Sequence, residues 1–208
     1  MALGLNRVVA LKEALSRCPV IAAVREQGAL EEALVSPVQV VFALAAEIDR
    51  LEAMGAAAAQ AGKLLFFHLD FVEGLGRDEA GLSFLVRTAR PAGLITTRSG
   101  LVQAARKAGV IPLQRLFLLD SQSLSTGLDA ARASKAEVVE VLPGIVPRAI
   151  GAIRSQLPQS LIIAGGLVRS EGEAARALAA GAAAVSTSSR TLWHMDPEHL
   201  RNGGRSTP

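Results

Sequence analysis

Residues 161–189 read LIIAGGLVRSEGEAARALAAGAAAVSTSS: two short apolar runs joined by an alanine-rich stretch with helical spacing. The first run closes on Ala164, Gly165, Gly166 and Leu167, and the second on Ser186, Thr187, Ser188 and Ser189. Glycines and small hydroxyls at strand ends let backbone N–H groups approach an anion held at a helix N-terminus. Two such ends in one β–α–β unit lie side by side in a parallel sheet. The stretch therefore predicts a phosphate pocket made by Gly165, Gly166, Ser186, Thr187 and Ser188. In a closed (β/α)8 barrel these are the ends of strands seven and eight, the usual phosphate position of that architecture.

The same alternation extends back through the chain. Strands are predicted at 20–24, 38–44, 64–69, 93–96, 111–117, 138–142, 161–164 and 183–186. Helices are predicted at 26–34, 48–61, 78–88, 101–108, 121–134, 146–157 and 170–180, with a short final turn at 190–193. Strict β-then-α order implies right-handed crossovers and a parallel sheet. Eight units of about 24 residues favour closure into a compact single-domain TIM-like (β/α)8 barrel over an open sheet. Gly62, Gly109 and Gly181 stand where helices stop, and Ser99, Ser121 and Ser170 stand where an N-cap hydroxyl belongs. The barrel is assigned to residues 1–195, and 196–208 read as a polar C-terminal tail.

Composition narrows the class. Half of the 208 residues are hydrophobic, enough for a substantial core. No apolar run reaches the roughly 20 residues of a membrane span, and the segment to Arg17 lacks the hydrophobic region of a secretory leader, so a cytoplasmic protein without a membrane partner is expected. Cys18 is the only cysteine, which excludes an intramolecular disulfide and any multi-cysteine metal site; it reads as a packing residue. A formal charge of +3 steers weakly toward anions. Six Phe, one Trp and no Tyr supply no aromatics interleaved with basic residues, as a dedicated single-strand binder would show.

Barrel sites are built from residues at the C-terminal ends of the strands. Arg25 follows the first strand. His68 and Asp70 end the third and share a face by alternation. Thr96 and Arg98 stand at the end of the fourth, Gln114 and Arg115 within the fifth, and Glu140 in the sixth. Alternation turns only one of Gln114 and Arg115 inward, and the sequence leaves open which. Glu140, after two valines, needs a partner: an arginine such as Arg115, a ligand hydroxyl or a divalent cation. Asp78 reads as a helix cap. His194 and His199 straddle Pro197 and read as no metal site.

These strand ends carry a family likeness. His68 to Gly74 with Asp78 to Gly81, Pro91 to Arg98, Gln114 to Ser121, Glu140 to Gly144, Ala164 to Leu167, and Ser186 to Ser188 with Leu192 and Trp193 together resemble the glycerol-3-phosphate responsive antiterminators, over roughly Val20 to Trp193. The chain departs from the family pattern at Ala45 and Ala46, where a glycine is usual, and at Lys135 to Glu137, where Pro-Asp is usual. The resemblance implies a barrel that binds glycerol-3-phosphate and, when occupied, acts on the mRNA leader of glycerol-utilisation genes to prevent premature termination. The phosphate turns are read from the residues; RNA is implied only by the resemblance.

On this reading the glycerol hydroxyls face Arg25, His68, Asp70, Thr96, Arg98, Arg115 and Glu140, with glycerol-3-phosphate as ligand and with no catalytic residue, cofactor or resident metal. The competing reading is a barrel enzyme on a small phosphorylated substrate, an isomerase or a metal-assisted phosphodiesterase. His68 would then be general acid or base, and Asp70 with Glu140 would hold a divalent cation. A metabolite-binding module without RNA activity is a third. The sequence does not identify the RNA-facing surface, and it leaves homo-oligomerisation open.

Overall fold

The computed structural model describes residues 2–201. Helix α1 (Ala2–Arg17) precedes strand β1 (Val20–Val24). Then come α2 (Gln27–Val35), β2 (Val40–Ala43), the two-residue β3 (Ala46–Glu47), α3 (Leu51–Gln60), β4 (Leu64–His68) and the two-residue β5 (Val72–Glu73). They are followed by α4 (Glu79–Ala89), β6 (Gly93–Thr96), α5 (Ser99–Lys107), β7 (Ile111–Phe117), α6 (Ser121–Ser134) and β8 (Val138–Leu142). The chain continues through α7 (Pro147–Gln156), β9 (Leu161–Gly165), α8 (Glu171–Ala179), β10 (Ala184–Thr187), α9 (Arg190–Trp193) and α10 (Pro197–Arg201). Eight strands close a parallel barrel in the order β1-β10-β9-β8-β7-β6-β4-β2.

Alternation along each strand divides the core into two shells. Residues such as Val41, Phe67, Leu94, Val139 and Ile162 face outward and pack beneath the helices. Phe42, Phe66, Ile95, Leu113, Val138 and Ile163 point inward and fill the barrel, with the rings of Phe42 and Phe66 tilted at 5.4 Å. Two residues further along each strand the interior turns polar: His68 follows Phe66, Arg115 follows Leu113, Glu140 follows Val138, and Ser186 follows Ala184. A dry plug thus lies below a polar mouth, as the period of two dictates.

Helix boundaries follow local chemistry. Gly62, Gly109 and Gly181 have φ of 66°, 78° and 102°, the left-handed stops expected of them. Asp78 caps α4 by accepting a hydrogen bond from the Gly81 N–H at 2.9 Å. Ser170 caps α8 in a reciprocal box with Glu173. The other two caps shift by one residue: Ser99 and Ser121 are already helical, behind the N-caps Arg98 and Asp120. Asp120 makes its own box with Ser123.

Three features lie beyond the sequence reading. Helix α1, where no element was expected, closes the bottom of the barrel by packing Leu11, Ala14 and Leu15 against the inner plug. Strands β3 and β5 pair in parallel, Ala46 with Val72 and Glu47 with Glu73, and tie together the loops after β2 and β4. Residues read as the start of a solvated tail instead form α10, which packs on α8 with Leu200 buried and His199 Nε2 at 2.7 Å from Glu171 Oε1. The rest of that tail, 202–208, lies outside the described residues.

Candidate functional site

The polar layer at the mouth is organised around Glu140. Its Oε2 accepts from Arg115 Nε at 2.7 Å and its Oε1 from Ser186 Oγ at 2.6 Å. Glu140 and Arg115 are register partners on β8 and β7, and both are buried. A buried carboxylate is stable only when its lone pairs are met, and here a guanidinium and a hydroxyl meet them. Gly165 sits opposite on β9, where a Cβ would collide with Glu140 Oε1 and Ser186 Oγ. Glycine is therefore required at 165 for close approach, whereas at 166 it serves conformation, with φ 74°. Leu167 follows at φ 64°, an uncommon value for a residue with a side chain, and leaves that side chain 57% exposed at the rim.

The turns after β9 and β10 are neighbours through the Ser186–Gly165 register pair. Between them lies a cavity of about 190 Å³, bordered by Arg25, Arg115, Arg169, Glu140, Gly166 and Ser188. Three guanidinium groups around one internally paired carboxylate leave the cavity cationic. A wider cleft of about 410 Å³ adjoins it across Arg25 and is bordered by Glu47, Arg50, Phe71 and Glu73.

His68 stands in the same polar layer. It is 2% exposed, yet neither ring nitrogen has a hydrogen-bond partner. Asp70 Oδ2, also without one, lies 3.8 Å from Nδ1, beyond bonding range. Asp70 Oδ1 is 3.4 Å from Arg98 Nε, and Arg98 donates to the Arg77 carbonyl at 2.8 Å. The Phe71 ring packs on the imidazole at 4.4 Å between centroids. Burial first, then the positive charges of Arg115 and Arg25, push the His68 pKa down to about 3. The imidazole is neutral near pH 7, one nitrogen a donor and the other an acceptor, and buried groups of this kind call for a partner.

Not every residue expected at the mouth reaches it. Thr96 is fully buried on the outward face of β6, where its Oγ1 accepts from the Arg98 N–H at 3.1 Å. Thr187 borders the cavity but turns its hydroxyl away from it: Oγ1 donates to the Val168 carbonyl at 2.6 Å and accepts from the Ser189 N–H at 3.0 Å. Both hydroxyls hold turns, because inward and outward positions alternate and Ser186 takes the inward one. Of the pair left open by the sequence, Arg115 faces inward. Gln114 binds Ser99 Oγ at 3.2 Å and Ser134 Oγ at 2.5 Å under the helices. Asp70 and Glu140 are each met by an arginine, and among the described residues no three His, Cys, Asp or Glu side chains converge as a metal site. His194 and His199 are drawn apart to Glu32 and Glu171. Sequence reasoning overlooked Arg169, whose only signal is its position just past the glycine turn.

A family model described as glycerol-3-phosphate responsive antiterminator matches residues 20–193. The chain belongs to this family. Among solved structures it is similar to the glycerol uptake operon antiterminator regulatory protein of Listeria monocytogenes, with 30% identity, a TM-score of 0.80, and 84% of this chain and 94% of that one covered. A glycerol uptake operon antiterminator-related protein of Thermotoga maritima has 34% identity and a TM-score of 0.77, covering 86% and 99% respectively. An uncharacterized protein of Escherichia coli K12, YgcP, is 34% identical over 179 residues, 86% of this chain and 93% of its own. Membership in the antiterminator family makes the role regulatory.

Proposed function

We propose that this protein binds glycerol-3-phosphate in the barrel mouth and, in the bound state, acts on the mRNA leader of glycerol-utilisation genes as a transcription antiterminator, without catalysing a reaction. The observation that carries the ligand reading is the cavity ringed by Arg25, Arg115 and Arg169, with a buried, unpartnered His68 in the same polar layer of the barrel. The phosphate takes the cationic cavity between the turns after β9 and β10, against Arg169 and the backbone N–H groups of Gly166 and Ser188, with the N-terminal dipole of α8 assisting. The glycerol hydroxyls then reach the His68 nitrogens, the free oxygen of Asp70 and the Glu140–Arg115 pair. Neutral imidazole suits a polyol, since it gives one hydrogen bond and accepts another. The work on nascent RNA places the protein in the cytoplasm, and no helix among the described residues is long and apolar enough to cross a membrane.

Calorimetry with glycerol-3-phosphate, glycerol and inorganic phosphate tests the ligand. Saturable heat with glycerol-3-phosphate is expected, together with a loss of at least about tenfold in affinity for His68→Ala, which removes a partner worth about 1.4 kcal/mol or more. No heat and no shift in melting temperature at millimolar ligand would defeat the reading. A gel shift of the leader transcript with and without the ligand tests the RNA part separately.

A further inference from the structure

The end of the barrel opposite the ligand mouth is strongly basic. Helices α4, α5 and α6 pack side by side, and their C-terminal ends carry Arg87, Arg90, Arg106, Lys107, Arg132 and Lys135. The nearby acids are already taken: Asp129 by Arg132 at 3.2 Å and Glu137 by Arg106 at 3.3 Å. Arg87, Arg90, Lys107 and Lys135 are exposed and make no ion pair among the described residues. Complementing the helix dipoles does not account for them. Three helix C-termini offer about half a negative charge each, roughly 1.5 in all, against four unpaired cations.

Backbone conformation makes a second, independent point. Arg90 and Lys135 occupy the left-handed position just past α4 and α6, with φ of 48° and 52°. The ends of α3, α5 and α8 use Gly62, Gly109 and Gly181 there, which adopt that conformation without a steric penalty. At the ends of α4 and α6, on either side of α5, the chain accepts strain and presents a cation. Local rules are broken in this way where another requirement overrides stability. Depressions of about 230 Å³ beside Arg90 and about 280 Å³ beside Lys135 bracket the arc.

We infer that this basal arc is the RNA-facing surface and that it grips the phosphate backbone of a folded stem, an inference that rests on the RNA part of the proposed function. One exposed ring, Phe84 of α4, stands a single helical turn before Arg87, whereas Phe71 and Phe117 lie at the mouth. A lone ring is no platform for the successive bases of a single strand, whereas the phosphates of an A-form stem need only charge and shape. The mouth fits that partner less well, since Glu47 and Glu73 stand among its loops and exposed Phe117, Leu119 and Leu167 mark its rim.

The test is fluorescence anisotropy of a labelled leader stem-loop with protein saturated by glycerol-3-phosphate, over a range of salt. The double variant Arg90→Gly with Lys135→Gly relieves strain and removes two charges. It is expected to melt higher and bind glycerol-3-phosphate as before, yet bind RNA about tenfold more weakly, with a log–log salt slope shallower by about 1.5. Arg87→Gln with Lys107→Gln removes charge at ordinary helical positions and should weaken RNA in the same way. If both variants keep wild-type affinity and slope while Phe117→Ser with Leu119→Ser at the rim loses RNA, the basal assignment falls and the proposed function stands. Wild-type protein that binds glycerol-3-phosphate but no leader RNA overturns both. Binding of polyglutamate in place of RNA would mark the arc as a protein-docking face and overturn the assignment.

Discussion

His68 shows how much one side chain's meaning depends on its surroundings. In the sequence it is one of three histidines; in the barrel it is a neutral imidazole without a partner, its pKa lowered to about 3 by burial and by Arg115 and Arg25. The unfolded chain, with a histidine pKa near 6.5, binds this proton more tightly than the folded one. The native state is therefore unaffected above pH 6.5 and loses stability as the pH falls from there toward 3. Between pH 6.5 and 5 the loss is about 2 kcal/mol for one such group. Urea midpoints of wild type and His68→Gln measured over this interval should converge toward acid as the wild type falls more steeply; parallel curves would contradict the low pKa. The residues flanking His68 divide by orientation. Arg115 and Glu140 were legible as strand-end polar groups and border the mouth cavity, while Asp70 is held beside His68 by Arg98. Thr96 looked equally suitable, but it lies one position out of phase and serves a turn.

Among the elements, α8 ties the site to its scaffold. Its N-cap, Ser170, accepts from the Glu173 N–H, and Glu173 Oε2 accepts from the N–H groups of Arg169 at 2.8 Å and Ser170 at 3.0 Å. These bonds lower the Glu173 pKa and hold the backbone of Arg169, the cation at the cavity edge. Ser170→Ala should cost about 1 kcal/mol in the urea midpoint, the ordinary value of a lost N-cap. It should also weaken glycerol-3-phosphate binding, because the turn carrying Arg169 is anchored through the same box; an unchanged affinity would separate the cap from the site. Serine followed three residues later by glutamate is readable in any sequence. That this box steadies an arginine facing a cationic cavity is not, since the cavity's other wall comes from strands β1, β7 and β8.

Across the whole molecule, the two ends of the barrel have opposite characters. The mouth is open and polar, its cavity lined by residues from six strands or their following loops, while the base is sealed by α1 and carries an arc of cations at the ends of α4, α5 and α6. Leu11 of α1 is fully buried under the plug, so Leu11→Ala should destabilise the protein by about 2–5 kcal/mol in chemical denaturation. A loss below about 1 kcal/mol would show that α1 is dispensable to the core. The alternation of eight apolar runs with helical segments, the glycine stops and the paired turns after 164 and 186 were decided locally, because dihedral preference and side-chain period are properties of short stretches of chain. Which face of each strand looks inward was not. It was decided when the strands closed in register and placed Arg115 beside Glu140, Gly165 beside Ser186, and Thr96 and Gln114 under the helices. Orientation in a closed sheet follows from register between strands distant in sequence, and so does the gathering of isolated arginines around one cavity at the top and in one charged arc below.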